Sequence, residues 1–170
     1  MTREILGSGP LAILAAPLPP RARVGLALVA ATFGLNHLRA KTDFATAERA
    51  FSLSRRWYDG EAIEPQAIED ALYDALVCET RAEEKLERPA WFVLTSAVGY
   101  TAFHAYRARN EMVGALISEL GENVLDFLNE HMDSLFPVAI NTLAGVAEYI
   151  KTNPAARFEQ LERVASIAQE

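Results

Sequence analysis

The chain has 170 residues, of which 51% are hydrophobic and 23% are charged, and its formal net charge is -7. This length can bury one hydrophobic core without disulfides or metals, and the composition is that of a globular rather than a disordered or fibrous protein. The acidic balance argues against non-specific binding to nucleic acid, which needs clustered basic side chains to neutralise phosphates. We therefore expect a single domain over residues 1–170.

The first 17 residues form a short apolar segment that resembles a signal peptide only superficially. Glu4, two glycines and Pro10 interrupt the apolar run, whereas a signal peptide has a continuous one. The next apolar stretch, Val24–Leu35, is shorter than the roughly 20 residues that a bilayer span needs. Because Cys78 is the only cysteine, no intrachain disulfide is possible. We expect a cytoplasmic protein without a membrane segment.

Apolar residues recur at spacings of three and four throughout the chain, and two-residue alternation is never sustained. This periodicity predicts an all-α fold. Proline, glycine and capping residues divide the chain into seven or eight helices, which we expect to form a compact bundle. The predicted helices span residues 10–16, 20–38, 43–58, 65 to the charged segment at 80–88, 89–109, 122–132, 137–151 and 154–169.

The most apolar of these segments is Trp91–Glu111, WFVLTSAVGYTAFHAYRARNE, which has no carboxylate before its last residue. Trp91, Leu94, Val98 and Ala105 fall on one helical face, and small residues between them allow neighbouring helices to approach closely. We predict a long central helix at roughly 89–109 that emerges into solvent at its basic end.

Signatures of catalysis are missing from the sequence. The histidines lack the Glu-x-x-His spacing of dimetal bundles, and no nucleotide-binding or nucleophile-elbow motif is present. Cys78 could be a nucleophile activated by His104, but nothing near it in the sequence lowers the pKa of its thiol, so a buried, inert cysteine and a core histidine are favoured. We expect no enzymatic activity, no metal and no cofactor.

Charge is distributed unevenly along the chain. Residues 1–58 carry eight basic and three acidic side chains, whereas ten carboxylates lie between Asp59 and Arg88 and a second acidic group lies at 119–133. In both groups the carboxylates recur at helical spacing. A solvated helix face that keeps the protein soluble is one interpretation. A docking surface for a basic protein is the other, since unpaired like charges cost stability but accelerate association with an oppositely charged partner.

Three segments resemble a known family. They are RRWYDG (Arg55–Gly60), AWFVLTSAVGYTAFHAYRARNE (Ala90–Glu111) and ELGENVLDFL (Glu119–Leu128). Over roughly residues 44–130 the chain resembles the all-α immunity proteins of bacterial polymorphic toxin systems, in particular the family called immunity protein six. The resemblance implies a non-enzymatic protein that binds one cognate toxin domain, blocks it and protects the producing cell.

From the resemblance and the charge pattern we predict that an acidic helical surface contacts a basic toxin domain, in a one-to-one complex with a monomer. Two exposed tyrosines would serve as aromatic anchors. The predicted toxin-binding residues are Tyr58, Glu61, Glu64, Glu69, Asp70, Tyr73, Asp74, Glu119, Glu122, Asp126 and Glu130.

Two other functions fit the sequence. The first is a small helical enzyme or ligand-binding protein whose internal pocket is lined by Tyr100, His104 and Cys78. The second is a helical adaptor that self-associates through the apolar segment Val24–Leu35.

Overall fold

The structure is a computed structural model, and it describes residues 9–83, 87–135 and 139–168. Over these residues the chain forms eight α-helices and no β-strand, so the predicted all-α bundle is confirmed. The helices are α1 (Pro10–Ala15), α2 (Pro20–Leu38), α3 (Phe44–Tyr58), α4 (Pro65–Arg81), α5 (Arg88–Ala108), α6 (Ala115–Leu135), α7 (Ala139–Thr152) and α8 (Phe158–Ile167).

Most of the predicted helix boundaries agree with the structure because local residues set them. Pro10, Pro20 and Pro65 open α1, α2 and α4 at the first helical position, where the missing N–H would have no partner in any case. Gly60 follows the end of α3 with φ 91°, a left-handed conformation that glycine adopts without strain. The chain can therefore turn sharply from α3 into α4.

Helix α6 differs most from its predicted boundaries, because it begins at Ala115 rather than at residue 122. Gly121 precedes the predicted start, yet it lies inside the helix. A Cβ added at this glycine would lie 2.2 Å from Cγ of Phe103, so the missing side chain makes room for an aromatic ring of α5. Packing between helices, which the local sequence does not reveal, accounts for this glycine.

The starts of the last two helices also differ slightly from the predicted ones. Helix α8 begins at Phe158 and not at residue 154, since Pro154 starts a turn instead. The Gln160 side chain accepts a hydrogen bond from the Arg157 backbone N–H at 2.8 Å and so caps the first turn. The predicted start of the preceding helix at residue 137 lies outside the described residues, and α7 is described from Ala139.

Helix α5 is the central element, as predicted. It packs against α2, α3, α4 and α6, and every residue from Val93 to Tyr106 is buried. Arg107 and the residues after it are exposed. A helix that is apolar around its whole circumference needs neighbours on several sides, which explains why α5 lies in the middle of the bundle.

Helix α8 is fastened to the end of α3 through the RRWYDG segment. The Tyr58 hydroxyl donates to the Ala156 carbonyl at 3.1 Å, and Asp59 Oδ1 accepts the backbone N–H of Phe158 at 2.8 Å. The Arg21 guanidinium lies 4.3 Å from the Tyr58 ring centroid and its Nε donates to the Tyr58 carbonyl at 2.9 Å. This segment therefore has a structural role.

The apolar segment Val24–Leu35 belongs to α2 and lies inside the bundle. Each of its side chains is buried or half-buried, so the suggestion that this segment forms a self-association surface is wrong. No helix in the described ranges combines the length and the apolar character that crossing a membrane demands.

Candidate functional site

The carboxylates that precede α4 and open it are exposed, but basic side chains of other helices neutralise them. Arg56 Nε of α3 lies 2.8 Å from Glu61 Oε2. Arg109, just after α5, donates to Glu64 through both terminal nitrogens of its guanidinium, Nη1 and Nη2, with Nη2 at 2.9 Å from Oε1. This hydrogen-bonded pair lowers the pKa of the Glu64 carboxyl. The expectation that these carboxylates lack cationic partners is therefore wrong for this pair of residues.

The carboxylates on the outer side of α4 are also partly satisfied. Asp74 Oδ2 lies 3.6 Å from Arg49 Nη1 of α3. Asp70 Oδ1 accepts a hydrogen bond from the Gln66 amide at 2.8 Å, and it has no ion pair among the described residues. Consequently, the charge of Asp70 is not compensated by a basic side chain among the described residues.

The Glu69 carboxylate accepts hydrogen bonds from two tyrosines. The Tyr106 hydroxyl of α5 donates to Glu69 Oε2, and the Tyr73 hydroxyl donates to Glu69 Oε1 at 3.3 Å. Burial, followed by the Glu69 carboxylate, raises the pKa of both phenols. The i,i+4 spacing of Glu69 and Tyr73 signalled half of this network in the sequence, whereas nothing signalled Tyr106. With both carboxylate oxygens engaged, Glu69 fixes α4 to α5.

Helix α6 presents a different acidic face. Five of its exposed residues recur at spacings of three and four and share one outward side: Leu116, Glu119, Asn123, Asp126 and Glu130. In the part of the chain that the structure describes, no basic side chain forms an ion pair with any of the three carboxylates. The charge of this face therefore remains available to a partner.

The two predicted aromatic anchors differ in their exposure to solvent. Tyr58 has 0% exposure, so the prediction that it is a surface anchor is wrong, because its ring fills the contact between α3, α2 and α8. Tyr73 is 45% exposed on α4, as an anchor requires. Glu122 lies in α6, but its side chain falls outside the described residues.

Several exposed large apolar side chains lie on α4 and at the entry to α6. Tyr73 and Val77 lie one turn apart on α4, with exposures of 45% and 48%. Met112 in the α5–α6 connection and Leu116 in the first turn of α6 have exposures of 95% and 37%. Pairs of exposed apolar residues beside charged ones are typical of protein-binding surfaces.

The proposed internal pocket around Tyr100, His104 and Cys78 is not supported. Tyr100 and His104 are buried and pack edge to face with ring centroids 4.6 Å apart. Cys78 faces α3, where Thr46 is its hydrogen-bonding neighbour, and burial raises the pKa of its thiol. A thiol with a raised pKa is a poor nucleophile at neutral pH, in line with the predicted inert cysteine.

Two clefts run along α3, and neither is lined by Tyr100, His104 or Cys78. The larger, of about 510 Å³, lies between α3, the end of α2 and α8, and the smaller, of about 220 Å³, lies between α3 and α4. The larger cleft mixes Arg39, Arg49 and Arg55 with Glu48 and Glu162. Because the charges of both signs largely offset one another, the cleft has no marked preference for an ion.

The structure thus places most of the predicted surface residues on α4 and α6, which both pack on α5, and it leaves three carboxylates of α6 without an ion pair among the described residues. Within the described ranges, no group of three His, Cys, Asp or Glu side chains is placed to hold a metal ion. No model of a protein family matches the chain, and no similar curated protein or solved structure was found.

Proposed function

We propose that this chain is an immunity protein, which binds a basic toxin domain through the outward face of α6 and thereby protects the cell that produces both. The observation that carries the proposal is the set of three exposed carboxylates on one side of α6, Glu119, Asp126 and Glu130, with no ion pair among the described residues. The resemblance of residues 44–130 to immunity proteins supports the same function.

Physical chemistry favours a binding role for this face. Asp126 and Glu130 are an i,i+4 pair of like charge, which costs a helix about 0.2–0.5 kcal/mol. By contrast, Asp74 of α4 and Glu64, which precedes that helix, are each paired with an arginine of the same fold. A field left uncompensated on one side of a protein steers an oppositely charged partner and accelerates its association.

The α6 face also contains an apolar component. Met112 and Leu116 are exposed where the α5–α6 connection enters α6. Binding energy at interfaces is concentrated in a few apolar or aromatic side chains that become fully desolvated, while surrounding charges set orientation and rate. We therefore expect the toxin to cover Leu116 and to place basic residues along the three carboxylates.

The decisive experiment pairs this protein with the protein encoded immediately upstream, which polymorphic toxin systems would use as the toxin. Co-expression should restore growth to cells that the toxin arrests, and the purified pair should bind. The triple variant Glu119→Lys, Asp126→Lys, Glu130→Lys should slow association about tenfold or more at low salt. The difference should shrink as salt screens the charges.

A matched control carries the same change in net charge elsewhere. Glu48, Glu148 and Glu159 are exposed on α3, α7 and α8, and their replacement by lysine should change the association rate about threefold or less. If wild type neither binds nor protects, the proposed function is wrong. If wild type binds but both triple variants slow association equally, the function stands and α6 is not the binding face.

A further inference from the structure

The outer side of α4 forms a ridge that the proposed function does not use. Asp70, Tyr73, Val77 and Arg81 follow one another at spacings of three, four and four and are all exposed, so they lie within one stripe of the helix. The two apolar residues occupy the centre, with 45% and 48% of their surface exposed. The negatively charged Asp70 lies at one end and the positively charged Arg81 at the other. We call these four residues the α4 ridge.

The charge pattern of the ridge is self-complementary. We infer that α4 is a self-association face on which a second copy of this chain packs antiparallel about a two-fold axis midway between Tyr73 and Val77. Rotation about that axis places Tyr73 against Val77 of the second copy and Asp70 against Arg81 of the second copy. Since a two-fold axis repeats each contact, the interface contains two such apolar contacts and two ion pairs.

Two neighbouring carboxylates have partners within their own copy. Asp74 also points outward near the axis, and its Oδ2 lies 3.6 Å from Arg49 Nη1 of the same copy. The Glu69 carboxylate accepts hydrogen bonds from two tyrosine hydroxyls. In contrast, neither Asp70 nor Arg81 has an ion-pair partner among the described residues. The ridge therefore has both of its end charges available and no excess of either sign.

This balance distinguishes a second copy from other partners. A strongly basic protein finds three uncompensated carboxylates on α6, whereas the α4 ridge offers one carboxylate and one arginine. Because each copy contributes only two large apolar side chains, the contact is small, and contacts of this size are weak and transient. The expected species is a dimer that forms at high protein concentration, in contrast to the monomer expected from the sequence. This inference is independent of the proposed toxin binding.

Sedimentation velocity of the purified chain over a wide concentration range tests the inference. Wild type should shift from monomer towards dimer as concentration rises. Asp70→Arg and Arg81→Asp each replace both ion pairs by like-charge contacts, so each variant alone should associate at least about tenfold more weakly. An equimolar mixture of the two variants should dimerise as well as wild type, because the opposite charges again face one another.

Recovery in the mixture excludes misfolding as the cause of weaker association, since an unfolded variant cannot be rescued by its partner. Asp126→Arg on α6 is a matched control that should leave self-association unchanged within about twofold. The inference is overturned if wild type remains monomeric throughout. It is equally overturned if wild type dimerises but the two single variants do so as well, or if the mixture fails to recover.

Discussion

The buried position of Tyr58 leads to a prediction about stability. Its hydroxyl donates to the Ala156 carbonyl at 3.1 Å, and within the described residues that carbonyl accepts one further side-chain hydrogen bond, a long one of 3.5 Å from Arg21 Nη2. Tyr58→Phe leaves this buried acceptor poorly satisfied and should cost about 1–2 kcal/mol. Tyr58→Ala also removes the ring that packs on Phe158 with centroids 6.0 Å apart, and it should cost about 3–5 kcal/mol in total.

Equilibrium unfolding in urea measures both effects. With a slope of about 2 kcal/mol per M, Tyr58→Phe should lower the unfolding midpoint by about 0.5–1 M and Tyr58→Ala by about 1.5–2.5 M. Tyr73→Phe is the matched control, because the same hydroxyl is removed from an exposed tyrosine, and it should change the free energy of unfolding by less than about 0.5 kcal/mol. Equal shifts for both phenylalanine variants would refute the assignment of Tyr58 to the core.

Two further predictions concern packing and pH. Gly121→Ala forces a Cβ against the Phe103 ring and should destabilise the fold by about 1–3 kcal/mol. Gly145→Ala is the control, because a Cβ at this position on α7 meets open space, and it should be neutral or stabilise the fold by up to about 1 kcal/mol. Similar urea midpoints for the two variants would contradict this account. Burial raises the pKa of Glu79 despite the hydrogen bond that Thr95 donates to its carboxylate. The stability contributed by protonated Glu79 is therefore fully present below the ordinary glutamate pKa. It is lost as the pH rises through the pKa of Glu79 in the folded protein. Glu79→Gln should therefore gain stability over wild type progressively from pH 4 to pH 7, and a difference that does not vary with pH would count against the shift.

The parts of the fold that depend on local residues were predictable. Prolines at helix starts and the three- and four-residue spacing of apolar side chains act over one or two turns, so α2, α3 and α5 were placed nearly where the structure has them. Gly121 shows the limit of such reasoning. The same residue type ends helices and lets them pack closely, and only the position of Phe103 decides between these uses.

The candidate site was harder to predict because charge compensation is a long-range property. Glu64 and Arg109 are 45 positions apart, and Asp74 and Arg49 belong to different helices. Counting carboxylates along α4 therefore overstated its uncompensated charge. Counting carboxylates was more accurate on α6, where Glu119, Asp126 and Glu130 form no ion pair with a basic side chain in the described ranges.

The enclosure of α5 has an evolutionary consequence. From Val93 to Tyr106 the helix offers no surface to any partner, while the two faces used for binding in our proposals lie on helices that cover it. Substitutions on those outward faces can alter partner choice without disturbing the core, and the core can stay constant while partners change. Two such proteins that share the α5 segment would therefore share an architecture, and their specificities would have to be compared on α4 and α6 instead.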